Sequence, residues 1–282
     1  MANIARASLE SALAARKLDR TLITALPSLE RMDGSALVAM DVAAIDRCLH
    51  GGLPRGQLSE IAGPSSSGRT TLLLQLAAAA TARGEIVALV DTLDRLDVAS
   101  AAAAGVDLNR LLWIRGQAMD RPQALGPRPQ IGSACQRDSQ PDSAWGLRSG
   151  PLGLIDRALK ALNLVLQAGG FGVVAIDLAD VPSSTLKQIP FTTWMRVQRV
   201  IEGSDTACVL LTPEPLARSA GGLTMALAGR TTWAGESRQS RRLAGLDVHV
   251  RVVSPRRRFD GDARVRAMAN DENVAHLLDR RR

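Results

Sequence analysis

The run GPSSSGRT, residues 63–70, stands between the apolar segment LSEIAG (58–63) and the Ala- and Leu-rich segment RTTLLLQLAAAATA (69–82). A short buried strand, a Gly/Ser turn and a strong helix former in this order fit a strand of a parallel sheet handing over to the helix that covers it. The same unit makes an anion site. Backbone N–H groups at a helix start point inward, and the dipole adds about half a positive charge. In the Walker A pattern G-x-x-x-x-G-K-[ST], Gly63, Gly68 and Thr70 are in register, and Arg69 stands where lysine is expected. The candidate nucleotide residues are therefore Gly63, Pro64, Ser65, Ser66, Ser67, Gly68, Arg69, Thr70 and Thr71, with the Thr70 hydroxyl where such loops hold Mg²⁺. The plainer alternative is a β–α turn with a serine N-cap.

The alternation continues along the chain. EIVALVD (85–91) reads as a strand, VASAAAAG (98–105) as a helix closed by Gly105, and LLWIR (111–115) as a strand. LIDRALKALNLVLQ reads as a helix, GVVAIDLAD as a strand and residues 191–203 as a helix after Pro190. TACVLLT (206–212) reads as a strand, and MALAGRTTW and LDVHVRVV as two more. The expected fold is α/β, a mainly parallel twisted sheet flanked by helices. Asp177 closes the apolar run VVAID, the place of a Walker B aspartate. Residues 3–18 carry Ile4, Leu9 and Leu13 on roughly one face of an expected helix. Residues 116–150, rich in Pro, Gln, Ser and Gly, read as a mobile surface insertion. The expected organisation is 1–33 as N-terminal helix and lead-in, 34–253 as core, and 254–282 as a basic, partly disordered tail.

The net charge is +7, and from Arg230 to Arg282 thirteen arginines face seven acids. Such asymmetry points to an anionic partner. Aromatics make up only 2% of the chain, so contacts to DNA are expected at phosphates and not by base stacking, with Arg256, Arg257 and Arg258 as candidates. An acidic protein surface would meet the same arginines equally well. Cys48, Cys135 and Cys208 are too scattered for a disulfide framework or a zinc site, and His50, His249 and His276 suggest no metal set. The N-terminus has no signal-peptide pattern and no apolar run is long enough to span a membrane, so the expected location is the cytoplasm, at the nucleoid. Trp113 and Trp194 read as core residues, and Trp145 as a partner anchor.

The run GALVAMDVAAIDRCLHGGLPRGQLSEIAGPSSSGRTTL resembles the start of the RecA recombinase ATPase core, and AAGVDLNRLLWIRG resembles its next segment. The likeness extends over residues 34–116 and, more loosely, 152–253. It implies a RecA-like P-loop fold, an N-terminal helix that packs on a neighbouring subunit, and ATP chemistry. The chain departs from the family at the positions that carry that chemistry. Lysine is replaced by Arg69, and the loop glutamate by Ser65. The glutamate that activates water, two residues after the strand-ending acid, is replaced by Leu93, with Asp94 one residue off. The γ-phosphate-sensing glutamine falls at or near Pro213. The two DNA-binding loops, VPSSTLKQ and EPLARSAGG, look short. Only Lys17, Lys160 and Lys187 are lysines among 35 basic residues, so Arg69 fits a drift towards arginine. Yet a planar fork is a poor substitute for a slim ammonium at a phosphate cradle.

This pattern of losses resembles the ImuA proteins of bacterial SOS mutagenesis. That resemblance implies a non-catalytic accessory role in translesion DNA synthesis, with RecA, an ImuB-like inactive Y-family polymerase, an error-prone polymerase and DNA as partners. No catalytic residue is then expected. ATP or ADP with Mg²⁺, held without turnover, is the cofactor the loop would accept. The competing expectation is a slow DNA-dependent ATPase, a RecA paralogue that remodels recombinase filaments. A cell-division inhibitor ranks last, since nothing in such a core explains one.

Overall fold

The computed structural model describes residues 36–116, 150–217, 222–235, 237, 239–253, 261–269 and 275–279. The chain divides into two units, Met1–Asp33 and Gly34–Arg282. The first, with the helix expected over 3–18, lies outside the described residues. So do residues 117–149 of the expected insertion, and Arg256, Arg257 and Arg258.

The second unit begins with β1 (Leu37–Val38), α1 (Ala43–Cys48) and β2 (Leu53–Pro54). The strand, loop and helix of the opening motif follow as β3 (Leu58–Ala62) and α2 (Arg69–Ala82). Next come β4 (Val87–Asp91), α3 (Val98–Ala103), β5 (Leu111–Arg115) and α4 (Pro151–Ala168). Then β6 (Val173–Asp177), α5 (Ser183–Leu186), α6 (Phe191–Ile201) and β7 (Ala207–Thr212) complete the alternating part. The chain continues as β8 (Thr224–Ala234), β9 (Arg242–Val253), β10 (Asp262–Ala269) and β11 (Ala275–Asp279).

One nine-stranded sheet runs in the order β11-β10-β9-β8-β3-β7-β6-β4-β5. Strands β8, β3, β7, β6, β4 and β5 are parallel, and β9, β10 and β11 add on antiparallel. The strands of the parallel part are apolar on both faces because helices cover both. Val87, Leu89, Val173, Ala175, Val209 and Leu211 join the layer that contains α1 and α2. Their alternates Ala88, Val90, Val174, Ile176, Cys208 and Leu210 join the layer of α4 and α6. Helix α4 buries Ile155, Ala158, Leu162 and Val165, a spacing that keeps one face on the sheet. Trp194 of α6 is 1% exposed in that layer, as its sequence setting suggested.

Within the expected core, α1 comes before the first parallel strand, and its Ile45 and Cys48 pack inward. One part of the chain differs from expectation. The stretch expected as a partly disordered tail instead carries β10 and β11. Ala263, Val265 and Ala267 are buried while Asp262, Arg264 and Met268 face outward, a two-residue period that the arginine content obscured. No helix among the described residues is long and apolar enough to cross a membrane.

Candidate functional site

The loop 63–68 leaves β3 between β7 and β8, at the C-terminal ends of the parallel strands. Gly68 precedes α2 with φ 92° and Ser66 has φ 61°, so the chain coils tightly before the helix starts. Helix α2 is not capped by a side chain at Gly68. The reading of the motif as a serine-capped turn therefore does not hold, and the first-turn N–H groups remain for other acceptors. Ser67 N–H turns back to the Pro64 carbonyl over 3.2 Å, and the buried Ser67 Oγ has no hydrogen-bond partner. Pro64, Ser65, Ser66 and Thr70 are exposed, and Thr71 is half-buried.

Strands β8 and β9 close one side of the loop. A Cβ at Gly63 would lie 2.6 Å from the Leu227 carbonyl, and one at Gly229 would lie 2.3 Å from the Ser66 carbonyl. A Cβ at Gly68 would lie 2.8 Å from Val248 Cγ2. Gly229 was missed in the sequence. A glycine inside the strand pattern MALAGRTTW was the available sign of a close backbone approach.

Arg69 is 6% exposed and does not reach outward from the loop. Its Nη1 donates to the Thr212 carbonyl at 2.8 Å and to the Ala179 carbonyl at 3.1 Å. The guanidinium thus ties the start of α2 to the ends of β6 and β7. Burial lowers its pKa, and the nearby Asp177 and Asp180 partly oppose that. Asp177 accepts from the Ala179 N–H at 2.8 Å. Burial pushes its carboxyl up to about 6, with Asp91 and Asp180 adding to the rise and Arg69 opposing it. The loop and Asp177 are therefore neighbours, linked through Arg69 and residue 179.

The end of β4 is organised by Asp91, 2% exposed. Its Oδ1 accepts from Arg95 N–H at 2.9 Å, and its Oδ2 from Leu96 N–H at 2.8 Å and Trp113 Nε1 at 3.1 Å. Leu93 is buried at 5% exposure. Asp94, the acid one position further along, has a left-handed backbone conformation of φ 56°. It forms a two-point pair with Arg115, Nε–Oδ1 2.8 Å and Nη2–Oδ2 2.7 Å, which holds its carboxyl below the usual range. The Arg115 guanidinium lies 4.6 Å over the Trp113 ring, so Trp113 is a half-buried anchor and not simply a core residue. A cleft of about 360 Å³ opens beside these residues, between β4, β5 and α4, and not at the loop itself.

Glu60, in the middle of β3, was also missed. It is 1% exposed. Its Oε1 accepts from Leu216 N–H at 2.6 Å, Thr212 Oγ1 at 3.0 Å and Ala217 N–H at 3.3 Å, and its Oε2 from Thr224 Oγ1 at 3.3 Å. Burial pushes its carboxyl up, against the pull of these donors. It fixes the segment after β7 to the strand that leads into the loop. An acid in the otherwise buried strand LSEIA was the available signal.

Residues 15–126 match the model of the RecA N-terminal domain. The chain is 43% identical over 90 residues to Protein RecA of Arthrospira platensis, covering 30% of this chain and 25% of that protein. It is 37% identical over 174 residues to Protein RecA of Desulforapulum autotrophicum, covering 56% of this chain and 40% of that protein. Protein RecA of Chlorobaculum tepidum is 46% identical over 86 residues, covering 28% and 25%. The chain thus spans well under half the length of these relatives. Together with the mainly parallel sheet and its loop, these similarities support a RecA-like superfamily for this chain.

Proposed function

We propose that the chain is a non-catalytic RecA-like accessory protein of DNA-damage-induced mutagenesis, of the ImuA kind. In this role it links RecA, an ImuB-like inactive polymerase and an error-prone polymerase during translesion synthesis. The observation that carries the reading is the position of Arg69. Its guanidinium is committed to two main-chain carbonyls, at 2.8 and 3.1 Å, where a nucleotide-binding loop would aim a cation at phosphates. The burial of Leu93 and the pairing of Asp94 with Arg115 support it, because they leave no free carboxylate at or next to the position two residues after β4. A RecA-derived frame without turnover suits a scaffold that recognises filaments or their partners.

The test is ATP hydrolysis by the purified chain, with and without single-stranded DNA, beside a Thr70→Ala control, together with pull-downs of RecA and the two polymerase partners. Background hydrolysis with specific retention of a partner is the expected outcome. DNA-stimulated turnover that Thr70→Ala abolishes would establish the rival reading, a slow filament-remodelling ATPase.

A further inference from the structure

Arg69 belongs to two neighbourhoods. It is the first residue of α2, at the rim of the loop 63–68. Its guanidinium lies between the ends of β6 and β7, with Nη1 on the Ala179 and Thr212 carbonyls. The Thr212 carbonyl also accepts from the Gly63 N–H at 3.2 Å. The two ends of the loop, Gly63 and Arg69, therefore meet on one oxygen. Hydrogen bonds made by the segment 178–181 otherwise stay near the strand ends. Leu178 N–H goes to the Leu211 carbonyl at 3.0 Å, Val181 N–H to the Leu178 carbonyl at 3.1 Å, and Ala179 N–H to Asp177. Among the described residues, Arg69 is the hydrogen-bonded link from this segment to α2.

A guanidinium carries five N–H donors along two edges. Nε and Nη2 of Arg69 donate to no group among the described residues, and neither is a sealed, partnerless atom. The second edge of the fork thus meets open space. A separate observation lies inside the loop. Ser67 is 1% exposed, its Oγ has no partner, and that oxygen lies 2.6 Å from where a Cβ on Gly63 would stand. With the first turn of α2 uncapped, the loop gathers donors that lack acceptors.

We propose that Arg69 is a coupling residue: phosphate groups held on the loop engage the second edge of its guanidinium and, through Nη1, stiffen residues 178–181 beyond β6. The proposal rests on the reading of residues 63–71 as a holder of a phosphate-bearing ligand without turnover, and adds what occupancy does to the rest of the molecule. A lysine ammonium is a single point, whereas the planar fork presents two edges and can serve both sets of acceptors. Two carbonyls already fix the fork in place, so an anion costs it little side-chain entropy. Coupling of this kind is reciprocal, so a partner that orders 178–181 tightens the anion by the same factor. Asp180 and Pro182 are exposed, which leaves the segment within reach of such a partner.

The experiment follows amide hydrogen exchange of the full chain by NMR, alone and with inorganic tripolyphosphate or ADP. Slower exchange at residues 69–71 marks occupancy of the loop, apart from capture of the anion by surface arginines. The amides of Leu178, Ala179 and Val181 should then slow roughly fivefold or more, while those of α4 keep their rates. A response to both ligands assigns the effect to the phosphates, and a response to ADP alone assigns it to a nucleotide; either supports the coupling. Arg69→Lys should still slow exchange at 69–71 but leave 178–181 unresponsive. Should that variant fail to fold, the wild-type comparison decides alone. Occupancy without slowing at 178–181 in the wild type overturns the proposal, as does slowing that persists in folded Arg69→Lys. Failure of both ligands to slow 69–71 at millimolar concentration also overturns it. None of these outcomes bears on the accessory reading, which hydrolysis and pull-downs decide.

Discussion

Arg69 Nη1 and the Thr212 carbonyl lie 2.8 Å apart, joining the first residue of α2 to the last residue of β7. A residue at the lysine position of a phosphate loop has become a strut between a helix and two strands. Arg69→Met should therefore lower stability by about 2–3 kcal/mol in urea unfolding, the range for hydrogen bonds to a buried charged donor. A change under about 0.5 kcal/mol would mean that the guanidinium bears no structural load.

Restoring single residues should not restore turnover. Arg69→Lys returns the compact cation but leaves Leu93 without a carboxylate, so hydrolysis should stay at background. Arg115→Ala releases Asp94, and hydrolysis should again remain at background because Asp94 is one position away from the place of the base. Only variants that combine Arg69→Lys with Leu93→Glu are expected to show DNA-dependent phosphate release. Turnover in either single variant would place the missing chemistry elsewhere.

Asp177 gives a stability profile with a definite sign. Its folded carboxyl titrates at about 6, above its ordinary value of 3.8, so the folded state holds the proton more tightly than the unfolded state. The associated stability is complete below the unfolded pKa and is lost as pH rises through about 6. Asp177→Asn keeps an oxygen for the Ala179 N–H and removes the titration. It should raise stability at pH 7.5 by roughly 1–3 kcal/mol and flatten the profile between about pH 4 and 6. Chemical denaturation at several pH values checks this, and a variant profile parallel to wild type would contradict it.

Glu60 is the anchor of the segment after β7. Glu60→Ala strands the Leu216 and Ala217 N–H groups and should cost about 2–4 kcal/mol. Glu60→Gln keeps one acceptor oxygen and should cost less than half of that. Amide exchange at Leu216 and Ala217 should quicken in both variants, more in the first.

Gly229→Ala tests the contact between β8 and the loop. The new methyl would sit 2.3 Å from the Ser66 carbonyl oxygen and 2.8 Å from Ser67 Cα, both main-chain atoms of the loop. A loss of about 1–3 kcal/mol is expected. Exchange of the Ser66 and Ser67 amides should rise, while the amides of α4, on the other layer, keep their wild-type rates.

The alternating core was legible because its strands are short apolar runs broken by turn residues and separated by helical segments. LSEIAG, EIVALVD and TACVLLT all form strands close to their expected bounds. The outer strands were harder to read. In DARVRAMA the buried positions are small, two of them alanine, and the outward arginines dominate the composition, so a regular strand looked like a basic tail. The candidate loop was plain, but the directions of its side chains were not. No spacing rule says that Arg69 turns to carbonyls, or that Asp94 turns to Arg115, because both depend on partners more than 20 residues away in the chain. Trp233, 57% exposed, was read only as the end of the strand MALAGRTTW, and it stands opposite Leu243 near the end of the β8–β9 pair.

Strand β3 lies between β7 and β8, and its loop is walled by Leu227, Gly229 and Val248. During synthesis, residues 58–68 leave the ribosome long before any of these neighbours exists. The chain emerges at about 5–20 residues per second, so the loop waits many seconds for its walls. Until then β3 carries an unpaired edge and a buried-type glutamate in water. Final shaping of this loop therefore comes late, after residues 227–248 have been made. Truncation or stalling before residue 229 should yield a nascent chain whose β4–β6 region is ordered while residues 63–68 remain open to protease.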